Sequence, residues 1–155
     1  MTREYHVAVR EMELLYSDLF EAASVGRRVG ETIAGAAGQT QARWQTLWTI
    51  GDRPLSVPQV SRRLGVTRQN IQRLATQLVD EGLVRLVPNP DHRTSPLLTL
   101  TDTGRAILQD INRAAESSHR ATLEHISIED VAALRELLRR FTAALQAEDQ
   151  MGAED

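Results

Sequence analysis

Cysteine is absent from this chain. That excludes disulfides, thiolate zinc sites, cysteine nucleophiles and thiol-based redox sensing. Lysine is absent too: all 18 basic residues are arginines. Beside so much Ala and Leu this reads as the mark of a GC-rich genome, so the position of each arginine says more than the choice of Arg over Lys. No apolar run approaches the ~20 residues of a membrane-spanning helix. The opening stretch MTREYHVAVREME mixes acids with arginines and lacks the apolar centre of a secretory signal, so a cytoplasmic location is expected. There is no internal repeat and no low-complexity tract. G-x-S-x-G, a phosphate loop and H-E-x-x-H are missing as well, and an enzyme is not expected. Glu116, His119, Glu124 and His125 could suggest a metal cluster. His119 and His125 are six residues apart, on different faces of one helix, so no metal and no cofactor are expected.

What is present is an ordinary globular composition, 155 residues with 41% hydrophobic and 25% charged side chains. That is enough chain for one domain with helical extensions and a real core. The charge is unevenly placed. Between Arg53 and Val79 lie five arginines (53, 62, 63, 68 and 73) and no acid, in a chain whose net charge is −3. A local basic footprint on an acidic body fits a focused polyanion site better than diffuse, histone-like binding.

Apolar spacing predicts a long helix from Tyr5 to Ala34, with Val9, Met12, Leu15, Leu19 and Ala23 at three- and four-residue intervals. A second helix is expected from Thr40 to Ile50 with Gly51 as its stop, then short helices over Val57–Leu64 and Thr67–Glu81. A hairpin follows, Leu83–Val87 and Leu97–Leu100, and two helices close the chain, Asp102–His125 and Ile128–Ala147. Ser127 with Asp130 reads as a capping box for the last of these. The predicted fold class is mainly α with a small β-hairpin wing. Val131, Leu134, Leu138, Phe141 and Leu145 recur at heptad spacing. The seam packs either on the chain's own first helix or on a second subunit.

SVPQVSRRLGVTRQNIQRLATQLVDEGLV has the form of a helix-turn-helix. Val57, Val60 and Leu64 give the first short helix an apolar face, Gly65 makes the corner, and Thr67 is placed to cap the second helix. In that helix Ile71, Leu74, Ala75, Leu78 and Val79 form one apolar face. The opposite face carries Gln69, Arg73 and Thr76, flanked by Asn70, Gln72 and Gln77, with no acid before Asp80. Arg is the bidentate partner of guanine, and Gln or Asn that of adenine. With Arg62 and Arg68 beside it, this face is a candidate reader of double-stranded DNA. The alternative is a plain amphipathic surface helix in a protein-interaction module, which leaves the basic segment unused.

The tip NPDHRTSP lies between two short apolar runs. A hairpin directly after a reading helix is a wing, and Arg93 at its tip can reach an adjacent minor groove or its phosphates. Asp91 is expected to orient Arg93 or a neighbouring arginine, and His92 to be solvated or to touch phosphate. Pro88, Pro90 and Pro96 stiffen the loop.

RW-x-x-LW-x-I (43–50), the helix-turn-helix, EGLV (81–84), DHR (91–93) and LTDTG (100–104) occur in the order that resembles the MarR family of bacterial winged-helix regulators. The spacing from Arg93 to Leu100 is one residue longer than the family's commonest. The resemblance implies a winged helix-turn-helix over 39–101, flanked by dimerisation segments at 1–38 and 102–155. It also implies a homodimer on pseudo-palindromic operator DNA, often a repressor and often released by a small aromatic or amphipathic ligand. In the family's geometry the ligand cleft would involve Tyr16, Trp48 and His119. Trp44 is expected in the core, and Trp48 in the core, at a dimer contact or on a ligand wall. The other reading of the same fold is a winged-helix regulator outside this family, without a ligand.

Overall fold

The computed structural model describes residues 3–152. The elements run α1 (Arg3–Gly35), α2 (Gln41–Gly51), β1 (Leu55–Ser56), α3 (Val57–Leu64), α4 (Arg68–Asp80), β2 (Val84–Val87), β3 (Leu97–Leu100), α5 (Asp102–Leu123) and α6 (Ile128–Gly152). This is the mainly helical winged arrangement that the sequence predicts. The first two and last three residues of the expected dimerisation segments lie outside the described residues. Among the described residues no helix is long and apolar enough to cross a membrane.

The chain divides after Ala114 into two compact units. In the first, Leu47 and Ile50 of α2, Val60 of α3, Ile71, Ala75 and Leu78 of α4, and Val84, Leu98 and Leu100 of the sheet form one buried cluster. Each large aliphatic side chain buried this way contributes about 1.5–3 kcal/mol. The cluster fixes which face of α4 turns inward, and therefore which face is left for solvent.

The sheet has three strands in the order β1-β3-β2, all antiparallel. Leu55 pairs with Leu98 and Ser56 with Leu97, while β2 runs from Val84 opposite Leu100 to Val87 opposite Leu97. Strand β1 is absent from the sequence prediction, because two residues show no alternation and Pro54 argues locally against a strand. Ser56 ends β1 and starts α3: its backbone N–H and its hydroxyl both donate to Gln59 Oε1, at 2.8 and 3.1 Å.

The turn between α3 and α4 follows the predicted chemistry. Gly65 sits at φ 65°, where a side chain would be strained, and its N–H donates to Ser61 O. The Ser61 hydroxyl then donates to Val66 O at 2.6 Å, so one residue fixes the corner from both sides. Thr67 caps α4, its Oγ1 accepting from Asn70 N at 3.2 Å.

A second fixed point holds the other end of α4. Thr101 N donates to Leu83 O at 3.1 Å, its hydroxyl donates to Gly82 O at 2.6 Å, and its Oγ1 accepts from Gly104 N at 3.0 Å. Gly104 passes so close to this turn that a Cβ on it would lie 2.0 Å from Leu83 O. The EGLV and LTDTG motifs are thus two halves of one joint between α4, the wing and α5.

Some boundaries need correction. Gly51 is the last residue of α2 and not a residue beyond its end, with Asp52 following as the C-cap. Helix α5 stops at Leu123, before His125, and α6 continues through Ala147 to Gly152. The residues after Ala147 are Glu, Asp, Gln and Met, which give the helix no reason to stop. Ser127 caps α6 by accepting from Asp130 N at 3.0 Å, but the reciprocal half of the box differs: the Asp130 carboxylate accepts the Ser127 hydroxyl at 2.7 Å. Asp is one methylene shorter than the Glu of a usual box, and here it meets the nearer side-chain partner.

Candidate nucleic-acid interface

On α4 the apolar residues Ile71, Ala75 and Leu78 are buried, and Gln69, Asn70, Gln72, Arg73, Thr76 and Gln77 are all exposed. The helix therefore carries a continuous polar face with no carboxylate until Asp80. Thr76 donates its hydroxyl to Gln72 O at 3.0 Å, which turns its proton back onto the helix. Thr67 and Arg68 sit at the start of α4, where the first N–H groups favour an anion. Arg62 is exposed on the last turn of α3.

The wing tip is organised by Asn89, a residue that the sequence pattern does not single out. Asn89 Nδ2 donates to Ser95 O at 2.8 Å, and Asn89 Oδ1 accepts from Asp91 N at 3.1 Å. One side chain thereby closes the loop that carries Asp91, His92 and Arg93, all three exposed. The expected orienting role of Asp91 is corrected: among the described residues no ion pair joins Asp91 to Arg93 or to any other arginine. With Asn89 already fixing the backbone, a carboxylate is not needed to shape the tip.

Two groups of arginine differ in charge pairing. Outside both, Arg27, Arg28, Arg135 and Arg140 are exposed on α1 and α6 and form no ion pair among the described residues. Arg10, Arg105, Arg113, Arg120 and Arg139 each pair with an acid three or four residues away on their own helix. Arg53, Arg62, Arg63, Arg68, Arg73, Arg85 and Arg93 are exposed and form no ion pair among the described residues. Sequence reasoning counts Arg53 and Arg63 in the basic segment without placing them at an interface, and it misses Arg85. The signal for Arg85 is its place directly after the buried first residue of β2, where alternation sends it outward.

Arg43 belongs to neither group. Its Nη1 donates to Glu81 Oε1 at 2.8 Å, its Nη2 to Glu81 Oε2, and its Nε to Gln39 Oε1 at 2.6 Å. Hydrogen bonding from Arg43, with its nearby positive charge and against a partial burial that works the other way, holds the Glu81 carboxyl below its ordinary range.

The other predicted positions lie apart from this surface. Trp44, expected in the core, is half-buried and lies outside the buried cluster, its indole N–H donating to Oδ1 of the exposed Asn112 at 3.3 Å. Trp48 is 54% exposed, which removes the core reading. Tyr16 stacks with Phe20 on α1, ring centroids 6.3 Å apart. His119 is exposed in the second unit. In that unit Val131, Phe141 and Leu145 of α6 are half-buried, and Leu134 and Leu138 are exposed. Among the described residues no group of three or more His, Asp or Glu could hold a metal ion.

A three-helix core with a hairpin wing, whose last helix exposes a polar face with no acid before Asp80, defines a winged helix-turn-helix domain. A MarR family profile matches residues 37–93. An uncharacterized protein of Mycobacterium tuberculosis is 49% identical over 138 residues, covering 89% of this chain and 96% of that protein. The transcriptional activatory protein BadR of Rhodopseudomonas palustris is 32% identical over 110 residues, covering 66% of this chain and 62% of BadR. The crystal structure of a mutant MarR from E. coli complexed with operator DNA superposes with a TM-score of 0.72 over 84% of this chain and 95% of that one. At 22% identity the last likeness speaks for the fold. Over residues 37–93 the chain is similar to the MarR family, and its named relative BadR is a transcriptional activatory protein.

Proposed function

We propose that this protein is a transcriptional regulator, a homodimer that binds a pseudo-palindromic operator in double-stranded DNA and represses transcription from it. The observation that carries the reading is the set of seven exposed arginines between residues 53 and 93 without an ion-pair partner among the described residues. Elsewhere among the described residues Arg10, Arg105, Arg113, Arg120 and Arg139 have an acid beside them, whereas the unpaired Arg27, Arg28, Arg135 and Arg140 are scattered on α1 and α6 and not gathered in an acid-free segment. Five of the seven, Arg53 to Arg73, fall in a stretch without acids, and their like charges raise a local positive potential that favours phosphates.

In this reading residues 39–101 bind DNA. Gln69 and Arg73, one turn apart on the exposed face of α4, meet successive base edges in a major groove, with Asn70, Gln72, Thr76 and Gln77 at the margins. Thr67, Arg68 and Arg62 hold phosphates. Arg93, with His92 and Asp91 at the Asn89-closed tip, reaches the flanking minor groove or its backbone. Arg53, Arg63 and Arg85 join the phosphate contacts.

Residues 1–38 and 102–155 form the dimer. Support comes from apolar side chains that a single chain leaves in water: Met12, Leu15 and Phe20 on α1, and Leu134, Leu137 and Leu138 on α6. A small aromatic or amphipathic effector releases the DNA, with Tyr16, Trp48 and His119 as the contacts we assign to it; the exposure of Trp48 supports its part. A second reading, activation in place of repression, is favoured by the name of BadR.

Selection of bound fragments from genomic DNA tests the proposal. A shared inverted repeat bound much more tightly than random duplex is the expected result. Equal affinity for all duplexes contradicts it, and a reporter with the selected site at its promoter separates repression from activation.

A further inference from the structure

The recognition helix needs more than a correct sequence; it must be held at a fixed angle to the body that presents it. Helix α4 packs on α3 and β2, while α2 packs on α1, α3 and β3. The Arg43–Glu81 fork joins α2 directly to the residue that caps the C-terminus of α4, 38 positions away in the chain. The Arg43 side chain is only 14% exposed, whereas that of Glu81 is 50% exposed. A planar guanidinium with two parallel N–H donors on one carboxylate constrains both distance and angle, which a single hydrogen bond or a lysine cannot do.

Two further contacts extend this line. Gln39 Oε1 accepts from Arg43 Nε at 2.6 Å and sets the plane of the guanidinium. Glu31 of α1 accepts from Gln41 N, at the first turn of α2, at 3.1 Å. Close contact between the two helices leaves little slack here, because a Cβ on Gly30 would lie 2.7 Å from the Gln41 side chain. The path α1–Glu31–α2–Arg43–Glu81–α4 is therefore made of direct hydrogen bonds and covalent helix.

We infer that Arg43 is a positioning residue for DNA reading: through Glu81 it sets the pitch of α4 against α1 and α2. The inference rests on the DNA-binding reading above. Neither residue belongs to the exposed face that carries Gln69 and Arg73. Loosening the fork should thus misplace base contacts without removing a phosphate contact.

The test uses the full chain, a selected operator and a random duplex, each titrated at several salt concentrations. Arg43→Gln and Glu81→Gln should each lower the operator-to-random affinity ratio about tenfold, the worth of one bidentate base contact. Affinity for random duplex and its salt slope should stay unchanged, and so should the slope on the operator. Arg43→Lys should rescue only in part. The reversed pair, Arg43→Glu combined with Glu81→Arg, should recover more of the ratio than either reversal alone. Glu81→Gln keeps the size of a half-exposed side chain and guards against simple unfolding as the cause. Single variants that keep the ratio, or that lower operator and random binding alike, overturn the inference. A wild-type protein with no operator preference overturns the DNA-binding reading itself.

Discussion

Gly104→Ala offers a severe test of the joint that holds α4, the wing and α5 together. The new methyl group would sit 2.0 Å from Leu83 O, and the obstructing atom is backbone, not the end of a flexible side chain. Real carbon–oxygen contacts need about 1 Å more, so α5 must move bodily from the turn after α4. Movement on that scale breaks the three Thr101 hydrogen bonds, to Leu83 O, Gly82 O and Gly104 N. At about 0.5–1.5 kcal/mol each, their loss comes to roughly 1.5–4.5 kcal/mol. Overpacking adds about 1–3 kcal/mol, and the helix propensity of Ala over Gly returns up to about 1 kcal/mol. The expected net destabilisation is at least about 1.5 kcal/mol, well outside the scatter of ordinary surface substitutions. Urea unfolding followed by circular dichroism, at one fixed protomer concentration because the protein is proposed to be a dimer, measures it. A variant within about 0.5 kcal/mol of wild type, the scatter of ordinary surface substitutions, would refute the claim that Gly104 is required by close approach.

Arg93→Ala should weaken binding to all duplexes by similar factors and flatten the salt slope by about one unit for each phosphate that Arg93 neutralises. A large change in sequence preference at unchanged slope would instead make Arg93 a base reader. For assembly, sedimentation at low micromolar concentration should show a dimer. Leu138→Glu should weaken that dimer at least about tenfold, because a C2 interface feels each substitution twice. A wild-type monomer under those conditions contradicts the assembly proposal.

The parts of the fold legible in the sequence are those encoded by near neighbours. Gly65, Thr67 and the Ile71–Leu78 stripe each act within one or two helical turns, so residue type and spacing reveal the corner, the cap and the buried face. The hairpin is legible to within one residue because Leu83–Val87 and Leu97–Leu100 are short apolar runs around a proline-rich tip. Strand β1 is hidden because only its pairing with β3 makes Leu55 and Ser56 a strand. The Arg43–Glu81 fork is hidden for a related reason: the two residues are 38 apart, and each alone reads as an ordinary surface charge. Asn89 looks like one more turn former beside two prolines; its closing of the wing depends on where Ser95 O lies. The exposure of Trp48 is not legible either, since a tryptophan one turn from Trp44 has the spacing of a core residue whether or not another element covers it. What the sequence does carry about the site is its chemistry, an acid-free face of Gln, Asn and Arg, since that is a property of the residues and not of their distant partners.

The central claim is that the exposed face of α4 reads bases, and Arg73→Ala tests it most directly. Arg73 is exposed, has no ion-pair partner among the described residues, and lies opposite Ile71, Leu74 and Leu78, so its removal leaves the core intact. The measurement is the affinity of wild type and variant for the selected operator and for random duplex at one fixed salt concentration. The account predicts a loss of about 1–3 kcal/mol on the operator for each base pair read, with a much smaller loss on random DNA. Equal losses on both would make Arg73 a phosphate clamp and contradict the assignment of the reading face.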